Sequence, residues 1–139
     1  MTRQDLAVAD RSSAALLAIV TERITRLSSS NALPHEFAEA IELSERIVAD
    51  YVRQIEVIER QLYRARAELT SWRDKAATAV LANATDLAAG ADERVAMWKR
   101  RVDEGAVALA ARDAGKRRID DALVQLRAIA QRSASRVPT

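Results

Sequence analysis

The sequence has no cysteine and only one histidine, with three glycines and two prolines, in 139 residues. The lack of cysteine excludes disulfides, thiolate metal ligands and a cysteine nucleophile. So little glycine and proline leaves scant material for turns, so the elements must be few and long. Aromatic residues make up 4% of the chain, too few for a thick mixed core. Long hydrophobic runs are also missing. The one from Ala14 to Val20 is too short to span a bilayer. The N-terminus lacks a basic segment followed by an apolar signal core, so a cytoplasmic location is expected. Nor does one sign of charge dominate. The 22 basic and 20 acidic residues give a net charge of +2, and they are interleaved, so nucleic acid is not the expected partner.

What is present is helical pattern. The chain is 49% hydrophobic and 30% charged, and much of the apolar part is alanine, the bias of long helices and coiled coils. In the first segment Leu6, Ala9, Ser13, Leu17, Val20, Ile24 and Leu27 recur at threes and fours, one face of a helix within residues 1–30. Asp5 and Asp10 lie early and Arg23 and Arg26 late, as the helix dipole prefers. Residues 28–31 read as a loop, and Pro34 suits the first turn of a new helix.

From Phe37 a heptad seam is continuous. One column reads Ile41, Val48, Ile55, Leu62, Leu69, Ala76, and Phe37, Ser44, Tyr51, Ile58, Ala65, Trp72 and Ala79 alternate with it. A second seam holds Val95, Trp98, Val102, Gly105, Leu109, Arg112, Lys116, Ile119, Leu123, Leu126 and Ala130. Two long helices with a short link lie antiparallel. The fold expected is therefore all-α: an N-terminal amphipathic helix, then a long antiparallel coiled-coil hairpin over residues 31–132. A polar tail, 133–139, is expected to fray.

Two turns fit the hairpin. In the first, at residues 82–85, Asn83 takes the left-handed conformation and Thr85 caps the next helix. That turn pairs Leu69 with Trp98, Trp72 with Val95, Leu62 with Gly105, Val48 with Ile119 and Ile41 with Leu126. The second, at 89–92, uses Gly90 as the stop and Asp92 as the cap. Shifting from one to the other keeps the seam closed, so periodicity alone does not separate them.

The peptide "SWRDKAATAVLANATDLA", residues 71–88, resembles the hairpin tip of the phage shock protein A family, the membrane-remodelling proteins of the ESCRT-like superfamily. The matching residues are Trp72, Lys75-Ala76, Ala79-Val80-Leu81 and Thr85-Asp86-Leu87-Ala88, with Thr85 standing where the family has Glu. The resemblance implies a turn before Asp86, a first hairpin arm opening after Pro34, and a membrane-binding N-terminal helix. It also implies a scaffold or stress regulator that works by oligomeric assembly at the inner face of the cell membrane. The chain stops where the family continues into further helices.

Chemistry-bearing residues are sparse. His35 with Glu36 and Glu39, and the series Glu36, Glu39, Glu42, Glu45, lie off the seam and read as a solvated helix start, not a metal site. No nucleophile–base pair or phosphate loop emerges, so neither an enzyme, a cofactor nor a small-molecule substrate is expected. Arg112 and Lys116 interrupt the seam. They read either as devices fixing register or partner choice, or as stems snorkelling to Glu56, Glu59 and water. Tyr51 falls opposite Lys116, in reach of a cation–π contact, and Trp72 and Trp98 read either as seam residues that pack together and close the hairpin end or as exposed aromatics that mark an interface. Expected partners are a second copy of the chain or another helical protein. The face of Leu6, Leu17, Val20, Ile24 and Leu27 could instead meet an anionic membrane, although it has no aromatic residue and mixes Asp and Glu with its arginines.

Overall fold

The computed structural model describes residues 15–27 and 33–135. They form three helices, α1 (residues 15–27), α2 (Pro34–Leu81) and α3 (Thr85–Ser135), and no strand is present among them. The fold is all-α and built on a helical hairpin. Leu6 lies outside the described residues. α3 continues to Ser135, into the segment expected to fray, and the rest of that segment, 136–139, lies outside the described residues. Alanine, arginine and glutamine through 128–134 favour the helix.

Local chemistry sets the ends of α2. Pro34 is its first residue, where a missing N–H costs nothing. Glu36, at the third position, accepts a hydrogen bond from the Leu33 N–H at 3.1 Å, half of a capping box. At the other end Asn83 has φ 55°. The Ala84 N–H donates to the Ala79 carbonyl at 2.9 Å, and the Asn83 N–H donates to Val80 at 3.1 Å. This is a Schellman closure, which satisfies carbonyls the helix end would otherwise leave open. The chain therefore reverses at 82–84, and Gly90 and Asp92 lie inside α3. One detail differs from expectation. The Ala84 carbonyl accepts the first bond of α3, from the Ala88 N–H at 2.9 Å, so the cap position falls on Ala84 and Thr85 is already helical. The tight closure leaves a single residue between the left-handed Asn83 and the new helix.

The chain divides into two compact units. The first, Glu56–Ala110, is the tip unit. It contains the turn and a two-helix seam in which Leu62, Ala65, Leu69, Ala76, Ala79, Ala91 and Ala108 are buried. Leu62 packs on Gly105, its Cδ1 only 3.1 Å from where a β-carbon would stand. That is the pairing expected for a turn at Asn83.

The second unit takes the described residues of Thr2–Ile55 and Ala111–Thr139. Here α1 lies against both hairpin helices. One cluster joins Val20 to Ile47, Tyr51, Ile119 and Ala122, with Leu16, Leu17, Ile24, Leu43 and Val48 packed against it. Another joins Leu27 to Phe37, Ala40 and Leu126, with Ile24, Ile41, Ile129 and Ala130 around it. A third helix needs a wider apolar stripe than a coiled-coil seam provides. Ala40 and Ile47 on α2, and Gly115 and Ala122 on α3, supply that extra column and are buried.

Candidate interaction surfaces

The apolar face of α1 is occupied within the chain. Val20 and Leu27 are buried and Leu17 and Ile24 half-buried, all against α2 and α3. Its neighbours Thr21 and Thr25 turn their hydroxyls back onto the carbonyls of Leu17 and Thr21, at 2.9 and 3.1 Å. An open groove of about 900 Å³ remains beside α1, lined in part by Ala18, Thr21, Ala111, Ala114 and Gly115, with Glu22 and Arg118 bordering it.

The seam residues separate into two grades. Leu62, Leu69, Ile119, Leu123 and Leu126 are buried. Ile41, Val48, Ile55, Trp72, Val95, Trp98, Val102 and Leu109 are half-buried, as expected for helices with few covering neighbours.

The polar seam residues behave differently from each other. Arg112 is 2% exposed. Its Nε donates to Gln54 Oε1 across the hairpin at 2.7 Å. A buried guanidinium must have acceptors in place, so the layer tolerates little sliding of α3 along α2. Lys116 instead pairs with Asp120 one turn on, at 2.9 Å, and is only half-buried. The expected Tyr51–Lys116 stack is not formed. The Tyr51 ring lies on Gly115, one residue earlier, with its hydroxyl 2.5 Å from where a β-carbon would be. A residue without a side chain lets the ring lie against the helix backbone, and the lysine then finds a nearer carboxylate. Arg127 bonds Glu45 across the hairpin at 3.1 Å on the exposed surface, and Arg53 pairs with Asp50.

Around the turn the surface changes character. From Ala76 to Ala91 the sequence carries a single charge, Asp86. Val80, Leu81 and Leu87 are 62%, 86% and 72% exposed there. Behind this cap stand the two tryptophans, both half-buried. Cations cover their rings: Lys75 Nζ lies 4.3 Å and the Arg94 guanidinium 5.7 Å from the centre of Trp72, and Arg101 lies 4.6 Å from that of Trp98. Each distance is within cation–π range. Sequence reading placed the tryptophans at the tip but did not foresee their cations, although Trp72/Lys75 and Trp98/Arg101 both sit at a three-residue spacing that shares a helix face.

His35, Glu36 and Glu39 are exposed. Among the described residues there is no group of three metal-ligating side chains, and no helix long and apolar enough to cross a membrane. No family model, no curated protein and no solved structure matches the chain.

Proposed function

We propose that this chain is a non-enzymatic helical adaptor, which works by holding a helical partner protein or further copies of itself. The observation that carries the reading is the cap at the turn. Three large aliphatic side chains stand in solvent within a stretch of one charge, in a chain that is 30% charged. Apolar surface concentrated in this way is what protein interfaces use. The docked α1 favours a protein partner over a bilayer, because the face that would enter lipid already contributes Val20 and Leu27 to the core.

A second reading keeps the resemblance to the phage shock protein A family: a membrane-associated scaffold or stress regulator acting by assembly. The tip peptide supports it, as does the turn at Asn83, ahead of Thr85-Asp86-Leu87-Ala88. It requires α1 to leave its place on the hairpin. Two measurements on the full chain separate the readings. Light scattering across concentration is expected to show a rising mass for wild type and a lower one for Leu81→Asp/Leu87→Asp. Sedimentation with anionic liposomes is expected to leave the protein in the supernatant. Robust co-sedimentation would shift the assignment to the membrane scaffold.

A further inference from the structure

We propose that the side of the tip unit bearing Trp72 and Trp98 is the docking surface for an acidic amphipathic helix of a partner protein. This inference rests on the adaptor reading and names the chemistry of the partner. On α2, Trp72, Lys75 and Ala79 follow one another at three and four residues and share a face. On α3, Arg94, Trp98 and Arg101 do the same, with Leu87 one heptad before Arg94. Arg94 reaches the Trp72 ring from the opposite helix, so the two rows border one surface.

A helix is the occupant that fits two parallel rows of this spacing. The other unit supplies the example within the same chain, where α1 covers both hairpin helices with aliphatic side chains. Among the described residues the tip unit has only its two helices, and its tryptophans remain half-buried.

Charge gives the partner's sign. Lys75, Arg94 and Arg101 are exposed cations held over aromatic faces. Among the described residues the ion pairs are Arg53–Asp50, Lys116–Asp120 and Arg127–Glu45, none of them in this unit. A cation already positioned on a ring loses less freedom on meeting a carboxylate than a free side chain does. Glutamates spaced by three and four on an incoming helix would face these three groups, while its apolar face covers Trp72, Trp98 and Leu87. A nucleic acid fits less well. The segment 56–110 holds nine basic and nine acidic residues, so a continuous phosphate track would meet as many carboxylates as cations.

The chain's two tryptophans both lie in this surface, so their fluorescence reports on it alone. The probe is a synthetic amphipathic helix of about three heptads, with Leu and Ala on one face and Glu at the positions flanking that face. Titration into the full chain should give a saturable, salt-sensitive change in emission. Lys75→Glu/Arg94→Glu/Arg101→Glu, checked for unchanged helicity, should bind at least tenfold more weakly. The same variant should accept a peptide with Lys in place of Glu, which wild type should refuse. If charge reversal unfolds the chain, the Gln triple variant replaces it, with weakened binding again expected. No emission change up to about 1 mM peptide, or equal binding by the variant, overturns the proposal. So does tighter binding of a single-stranded oligonucleotide that the triple variant abolishes, which would assign the surface to nucleic acid. Concentration-dependent mass in light scattering without peptide binding would sink this inference and leave the adaptor reading standing.

Discussion

Three glycines of α3 receive the same substitution with three different outcomes, and Gly115→Ala is the most informative. A β-carbon there would lie 2.5 Å from the Tyr51 hydroxyl, 2.7 Å from Cζ and 2.8 Å from Cε1. Carbon atoms in ordinary contact stand about 3.5–4.0 Å apart, so ring or helix must retreat by roughly 1 Å. The ring has little room to do so. Tyr51 is 3% exposed and clustered with Val20, Ile47, Ile119 and Ala122. Overpacking of this kind costs about 1–3 kcal/mol. Alanine returns about 0.8–1 kcal/mol of helix propensity. The net expectation is a loss of up to about 2 kcal/mol, as much as several degrees in melting temperature. At Gly90 nothing lies within 4 Å, so Gly90→Ala keeps the full propensity gain of about 1 kcal/mol. At Gly105 the nearest atom, 3.1 Å away, is the flexible end of Leu62, so the two effects should nearly cancel. Circular dichroism melts of the three variants give the ranking. A double-mutant cycle with Tyr51→Leu isolates the cause, since in that background Gly115→Ala should become neutral or stabilising. The reasoning is refuted if Gly115→Ala melts at or above wild type, or if its penalty persists without the tyrosine.

Further expectations concern the turn, the first helix and the polar seam. Asn83→Ala should destabilise by about 1 kcal/mol, because φ 55° suits Asn and not Ala, while Asn83→Gly should hold or raise the melting temperature. Val20→Ala removes methyls from the three-helix cluster and should cost about 1–3 kcal/mol. In hydrogen exchange its effect should appear first in residues 15–27. Arg112→Met leaves Gln54 Oε1 without its donor and should lower the unfolding free energy by about 1–3 kcal/mol, measured by denaturant titration. If the arginine fixes register, the mass distribution of that variant should broaden. A single sharp species would remove the register role.

The sequence alone determined the helices and the hairpin. Heptads such as Ile41, Val48, Ile55, Leu62 and Leu69 specify a helix with one apolar side whatever lies around it, because 3.6 residues per turn is a local property. The Leu62–Gly105 pairing then followed from arithmetic along two seams, once a turn at Asn83 was assumed. Sequence left that turn in competition with Gly90, since both choices keep the heptads in phase. Only the folded chain shows the left-handed Asn83 and its two closing hydrogen bonds. It also decided where α1 goes. An apolar face states that something must cover it, not whether that something is lipid, another chain or the hairpin of its own molecule. The sign lay in a second column, Ala40, Ile47, Gly115 and Ala122, but small side chains give too little hydrophobic contrast to be read as a core. The partners of Arg112, Lys116 and Tyr51 were decided at the same level. Each could satisfy its polar or aromatic group in several ways, and a shift of one residue between facing helices selected among them.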